Sequence, residues 1–226
     1  TIVLLTNVEL SEILTINKSI TLDGNVHTLT SNAARAINVV GENEVTIKNL
    51  TINASGERAI NVIQGAAKLT IENVKATAAN YTVNVAGSAK GATVTIKDSE
   101  LTGLNAVNVA GANANITIDN TTINTVDNNT AEGYSSIALN KDAKGATVTA
   151  TNTTINLTGS ACSDSKKAKV DAEGASITIN GSTADVKITV AYISYGDTYY
   201  SFETLEAAIE KAQAGETVVL IKNVTL

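Results

Sequence analysis

Apolar and polar residues alternate along this chain in short bursts, and the bursts recur. Val45-Thr46-Ile47-Lys48-Asn49 returns as Leu69-Thr70-Ile71-Glu72-Asn73, Val94-Thr95-Ile96-Lys97-Asp98 and Ile116-Thr117-Ile118-Asp119-Asn120. Weaker copies are Ile20-Thr21-Leu22-Asp23-Gly24, Val148-Thr149-Ala150-Thr151-Asn152 and Ile177-Thr178-Ile179-Asn180-Gly181. Their last residues are spaced 25, 24, 25, 22, 32 and 29 apart. Alternation at every second residue makes each copy a strand with one buried face, so Val45 and Ile47 point in while Thr46 and Lys48 point out. A period in the twenties built from strands predicts a solenoid in which each rung touches only its neighbours.

Two further strands complete a rung. After the turn at the Asn comes Leu50-Thr51-Ile52, repeated as Ser99-Glu100-Leu101, Thr121-Thr122-Ile123 and Thr153-Thr154-Ile155. A third strand reads Ala36-Ile37-Asn38-Val39, Ala59-Ile60-Asn61-Val62, Thr82-Val83-Asn84-Val85 and Ala106-Val107-Asn108-Val109. Ser136-Ile137-Ala138-Leu139 and Lys169-Val170-Asp171-Ala172 continue it less faithfully. Stacking the copies predicts a turn ladder of Asn49, Asn73, Asp98, Asn120 and Asn152. An Asn there can adopt the left-handed conformation, and stacked amides can bond along the axis. Asn38, Asn61, Asn84 and Asn108 predict a second row, pointing outward as a solvated polar row or, on the sharper reading, a binding row.

The three-strand rung with an Asn ladder at a turn resembles the right-handed parallel β-helix first described for pectate lyases. The resemblance covers residues 1–190 and is one of architecture. It implies an all-β fold, a right-handed parallel β-helix solenoid with three strands per rung. About eight rungs at ~4.8 Å each imply a rod on the order of 40 Å long.

Residues 191–226 form a second unit, a junction segment. Tyr192–Tyr200 reads as a hairpin around Gly196-Asp197. Phe202, Leu205, Ala208, Ile209 and Ala212 fall on one helical face, predicting one short C-terminal capping or junction helix over 201–214, with Ser201 as N-cap and Gly215 as its end. Residues 218–226, Val-Val-Leu-Ile-Lys-Asn-Val-Thr-Leu, then match residues 2–10, Ile-Val-Leu-Leu-Thr-Asn-Val-Glu-Leu, at five of nine positions. The segment Gly196–Leu226 resembles a unit of secreted surface proteins of Gram-positive bacteria, in which it opens a β-helix. That resemblance implies a slice out of register from a tandem array, or the protomer of a head-to-tail polymer. The expected assembly junction is Ile2, Leu4, Phe202, Leu205, Ile209, Val219, Leu220 and Val224.

Composition narrows the chemistry. Apolar residues make up 43% and aromatics 3%, with no Trp, Met or Pro, so aliphatic side chains must fill the core. A net charge of −6 argues against nucleic acid or an anionic membrane surface as the main partner. No apolar stretch is long enough to span a bilayer. A chain that does not start with Met reads as a piece of a longer or processed one. Cys162 is alone, so no internal disulfide forms. Asn49, Asn80, Asn120 and Asn223 head glycosylation sequons, largely a by-product of a chain rich in Asn and Thr.

Three catalytic or ligand chemistries known on such folds are checked by the residues present. Lyase-type cleavage needs acidic Ca²⁺ ligands beside a base, but Arg35 and Arg58 stack with only Glu57 adjacent. Hydrolysis needs positioned carboxylates, and no Asp-Asp pair occurs beside the sole His27. Ice binding would want Thr at both outward positions of the strand. Here Thr46, Thr70, Thr95 and Thr117 are followed by Lys48, Glu72, Lys97 and Asp119. Excursions near 124–134 and 158–168 hold Asp127, Asn128, Asn129, Glu132, Asp164 and Ser165, the best place for a side-bound ligand. The sequence thus predicts no enzyme, no cofactor and no metal. It predicts an extracellular structural or adhesive module that stacks head-to-tail on copies of itself or on adjacent repeats. A host or glycan ligand is a further expected partner. The alternative is a polysaccharide-binding or polysaccharide-cleaving β-helix.

Overall fold

The computed structural model describes residues 1–126, 134–158, 166–181, 187–188, 190–195, 198–202, 204–220 and 224. Rungs of three strands begin at the N-terminus with β1 (Ile2–Val3), β2 (Val8–Leu10) and β3 (Leu14–Ile16), then β4 (Ile20–Asp23), β5 (Thr28–Ser31) and β6 (Arg35–Val40). Next, β7 (Glu44–Ala54) carries two strands in one run and is followed by β8 (Arg58–Ile63); β9 (Lys68–Thr77) is likewise followed by β10 (Tyr81–Val85). Full rungs resume with β11 (Thr93–Lys97), β12 (Glu100–Gly103) and β13 (Val107–Val109), then β14 (Asn115–Asp119), β15 (Thr122–Val126) and β16 (Ile137–Leu139). The last are β17 (Thr147–Thr151), β18 (Thr154–Thr158) and β19 (Ala168–Val170), followed by β20 (Ser176–Ile179) and β21 (Lys187–Ile188). Beyond them lie β22 (Ala191–Tyr195), β23 (Thr198–Phe202), helix α1 (Leu205–Lys211) and β24 (Val218–Leu220).

The first strands stack in parallel in the order β1-β4-β7-β9-β11-β14-β17-β20, and the third strands from β3 to β21 do the same in a second sheet. The second strands join the first sheet through β7 and β9. This is an all-β parallel solenoid with the strand stacking of a β-helix. Among the described residues, no strand of the β23-β22-β24 sheet pairs with either solenoid sheet.

The repeat places like side chains over like. Leu22, Ile47, Ile71, Ile96 and Ile118 are consecutive register partners. The four isoleucines are fully buried. The third strand stacks Ile37, Ile60, Val83, Val107 and Ile137 in the same way, all at 0% exposure. Aliphatic β-branched side chains suit this surface because each nests against an identical neighbour one rung away. Ile2 heads the first column opposite Leu22, yet it is 51% exposed because no described rung lies beyond it.

The structure differs from the sequence pattern in three places. Residue Ala168, not Val170, stands opposite Ile137, so Lys169 faces Ala138 and Val170 faces Leu139. The slip is two residues, which keeps every side chain on its own face. The helix starts later than the pattern predicts. Ser201 pairs with Tyr192 in the β22–β23 hairpin, so Thr204 becomes the N-cap and accepts from Ala207 N at 3.1 Å. The helix then ends at Lys211, before Gly215. Finally, β24 does not join a solenoid rung; it lies antiparallel on β22, with Val218 opposite Ile193 and Leu220 opposite Ala191. The short connection through α1 brings β24 back alongside β22.

Substituting Ile96→Asp should cost about 4 kcal/mol or more, since an unpaired charge enters a fully buried column. Ile2→Asp, at the open end of the equivalent column, should cost under about 1 kcal/mol. Urea denaturation of the two variants measures the difference, and equal costs would contradict the column.

Candidate functional site

The corner between the first and second strands is where the backbone geometry is most constrained. Asn49, Asn73, Asp98, Asn120 and Asn152 all have positive φ, between 44° and 51°, as does Asn180 at 50°. Asn and Asp tolerate the left-handed region because their short polar side chains bond locally. One such residue turns the chain without a loop. The second rung uses a longer turn, Gly24-Asn25-Val26-His27, with Val26 at φ 62°. A β-branched residue there is strained. Gly24 sits so close to Asn49 that a Cβ would lie 2.5 Å from its carbonyl oxygen.

The corner residues form a ladder. Asn49 Nδ2 donates to Asp23 Oδ1 at 3.1 Å, Asn73 Nδ2 to Asn49 Oδ1 at 2.9 Å, and Asn120 Nδ2 to Asp98 Oδ1 at 2.6 Å. Asn152 Nδ2 reaches Asp119 Oδ1 at 3.0 Å. The ladder breaks between Asn73 and Asp98, because an ionised carboxylate has no hydrogen to give the Asn73 oxygen. Beside it runs a column of register partners of alternating sign: Asp23, Lys48, Glu72, Lys97 and Asp119. Lys48 pairs with Asp23 at 3.3 Å and Lys97 with Glu72 at 3.0 Å. The alternation that spoils an ice-like Thr face is therefore an ion-pair column.

The corner ladder, but not the ion-pair column, lines a groove of about 440 Å³, walled by Val26, Asn73, Lys75, Asp98, Glu100 and Asn120 among others. Lys75 and Glu100, one rung apart, are ion-paired at 3.1 Å. Sequence reasoning found the ladder but missed the groove. Its concavity depends on the angle between two strands, and the left-handed Asn row was the available signal.

The second amide row lies elsewhere than the pattern predicts. Asn61, Asn84 and Asn108 are 2%, 4% and 9% exposed, so the row is buried rather than solvated. Asn61 Nδ2 donates to Asn38 Oδ1 at 2.9 Å, Asn84 to Asn61 and Asn108 to Asn84, both at 2.7 Å. Burial is tolerated because each amide satisfies the next. Among the described residues, every side-chain amide bond between Asn residues of different rungs donates toward the N-terminal rung, including Asn156 to Asn124.

Arg35 and Arg58 stack in register ahead of this row, followed by Tyr81. Arg58 bonds Glu57 at 3.0 Å and lies 5.3 Å from the Tyr81 ring centre. Burial and the like charge of Arg35 pull the Arg58 guanidinium below its ordinary value, against Glu57; burial and Glu57 push the Tyr81 hydroxyl up. The arrangement is a packed ion pair on an aromatic face. Among the described residues no three His, Cys, Asp or Glu side chains converge as metal ligands, and no helix is long and apolar enough to cross a membrane. Asp127, Asn128, Asn129, Glu132, Cys162, Asp164 and Ser165 lie outside the described residues.

The expected junction residues fall into two groups. Ile2 is exposed and Leu4 half-buried on the first rung. Phe202, Leu205, Val219 and Val224 are half-buried, while Ile209 and Leu220 are 60% and 48% exposed. Helix α1 packs on the β22–β23–β24 sheet, with Ala208 fully buried.

Removing Asn84 should expose the row's dependence on pairing. Asn84→Ala strands the Asn61 oxygen and the Asn108 amide, for a loss of about 2–4 kcal/mol, whereas Asn108→Ala strands one partner and should lose about half that. Asp98→Asn supplies the missing donor and should raise stability by about 0.5–1 kcal/mol. Chemical denaturation tests all three.

The corner column also predicts acid sensitivity. Thr151 and then Asn152 hold the Asp119 carboxyl below its ordinary 3.8, and the backbone N–H of Asn25, then Asn49, does so for Asp23. A carboxyl whose folded pKa is depressed stabilises the fold above its unfolded pKa and loses that contribution as pH falls through the folded one. Denaturation midpoints should therefore drop below about pH 4, and Asp119→Asn should flatten that limb. An unchanged acid limb in the variant would exclude the bond as its source.

Comparison with protein-family models, with curated proteins and with solved structures finds no match to this chain.

Proposed function

We propose that this chain is a structural module of an extracellular, cell-surface or secreted protein, a stiff rod that stacks head-to-tail into a stalk or filament and catalyses no reaction. The observation that carries this reading is where the polar side chains spend their bonds. The Asn49–Asn73 and Asn38–Asn108 rows and the Asp23–Lys97 column are joined along the axis, rung to rung. Side chains committed to axial bonds resist bending and extension of the rod and are not left converging on a reacting centre. The large apolar side chains that stay exposed support the stacking. Among the described residues these are Ile2, Val3 and Leu5 on the first rung and Ile209 and Leu220 on α1 and β24, with Val26 apart from them in the corner. Exposed apolar groups that cluster mark contact surfaces.

A second reading draws on the corner groove. Amides, hydroxyls, Lys75, Asp98 and Glu100 along one edge make a polar trough that suits an extended polysaccharide.

Sedimentation velocity over a wide concentration range tests the first reading, with the sedimenting mass rising with concentration. Incubation with polygalacturonate, plant and mucin glycans, with and without Ca²⁺, tests the second. A strict monomer at high concentration overturns the stacking, and release of unsaturated or reducing ends overturns the non-enzymatic assignment.

A further inference from the structure

Two features of the corner groove cost the fold stability and give it nothing in return. The first is the break in the amide ladder. Asn73 spends its Nδ2 on Asn49, and Asp98 spends its Oδ1 on Asn120, on opposite sides of the break. Register sets Asn73 and Asp98 level, between the partners Glu72–Lys97 and Lys75–Glu100. An amide oxygen and a carboxylate oxygen therefore meet across one rung step with no hydrogen between them. Among the described residues nothing donates to either of these two oxygens. Acceptors ~4.8 Å apart suit a single group that donates to both at ~2.8 Å.

The second feature is Val26. It lines the same groove, is 84% exposed and has φ 62°. A β-branched residue in the left-handed region is strained, and an apolar side chain in water gains no burial. It stands about three rung steps, ~14 Å, from Asp98, where it offers an apolar surface to a chain lying along the trough.

Charge decides which donor fits. Lys75 is paired with Glu100 and Lys97 with Glu72, which leaves Asp98 as the carboxylate of the groove with no cation beside it. A primary ammonium brings three N–H donors and a positive charge, whereas a hydroxyl brings one donor and no charge. Resting on the reading of the groove as a polysaccharide trough, we propose that it selects a polymer of amino sugars, one ammonium bridging Asn73 Oδ1 and Asp98 while another ring of the same polymer packs on Val26. A lysine-bearing peptide carries the same ammonium but fits less well. An extended peptide binds by adding to a strand edge, and β7, β9 and β12, which wall the groove, are each paired on both sides. The hydroxyls and amides of Thr51, Asn49 and Asn120 suit ring hydroxyls instead.

Fluorescence polarisation with the full chain and labelled β-1,4-linked hexasaccharides tests this, at a pH below the sugar amine's pKa. A glucosamine hexamer should bind at least about tenfold more tightly than its N-acetylated form or a glucose hexamer. Asp98→Asn closes the ladder, so it should raise the urea midpoint while removing that tenfold preference, two effects of opposite sign that a purely structural role does not produce. Val26→Gly relieves the strained φ and should weaken all three sugars alike. If the three sugars bind equally and Asp98→Asn changes none of them, amine selection is wrong and the polysaccharide trough stands. If no sugar binds, both fall. If hexalysine binds as tightly as the glucosamine hexamer and loses affinity in Asp98→Asn, the sugar assignment is overturned in favour of a peptide amine.

Discussion

Register is the constraint on which this molecule depends. In a parallel stack each strand must lie opposite the equivalent strand of the next rung, about 4.8 Å away. A shift by one residue would turn the Ile47–Ile118 column out to solvent and the Thr46–Thr117 column in. The corner residues hold the register at its tightest point. A single left-handed Asn or Asp between two strands leaves no slack, and Asn73 bonds Asn49 only if both bends fall at the same height. The ion-pair column is a second check, since Lys48 meets Asp23 and Lys97 meets Glu72 only in the observed alignment or in slips that move whole rungs. Exposed ion pairs are worth little as stability, so their value here is in alignment.

Most of the rung was legible because its logic is local. Alternation gave the inward and outward positions, and the Asn at the end of each first strand marked the bend. What escaped was whatever local pattern cannot distinguish. The two-residue slip at Val170 keeps parity, so Lys169-Val170-Asp171 reads equally well in either register; the structure places Asp171 beside Lys169, at 2.9 Å, rather than in the amide row. The burial of Asn61 and Asn84 could not be read from alternation, which tells which face a side chain occupies but not what covers that face. The start of α1 was misjudged because Ser201 satisfies a capping pattern as well as Thr204 does, and hairpin pairing with Tyr192 decides between them.

The amide rows also give the rod a direction. Each Asn Nδ2 donates back toward the N-terminal rung, so the earliest member of a row offers an oxygen and the latest an amide N–H. Chains of hydrogen bonds polarise one another in the same sense, which makes a mid-row carboxylate such as Asp98 a break and a first-position carboxylate such as Asp23 a good terminus. Asp23 receives Asn49 and is in turn held by Lys48 and the Asn25 backbone. Carboxylates in this fold are thus suited to where a row begins.

The same periodicity that stabilises the middle leaves the ends unsatisfied. An interior rung finds both neighbours within the chain, so Ile96 is sealed above and below, while Ile2 has a neighbour on one side and is half open to water. No internal rearrangement cures this, because adding a rung moves the open face without removing it. An open solenoid face is covered by whatever lies beyond it, and on the function proposed above that is another piece of the same repeat. The duplication of residues 2–10 at 218–226 follows this logic. Residues 218–226 repeat, at five of nine positions, the residues 2–10 that include the strands paired with β4 and β5.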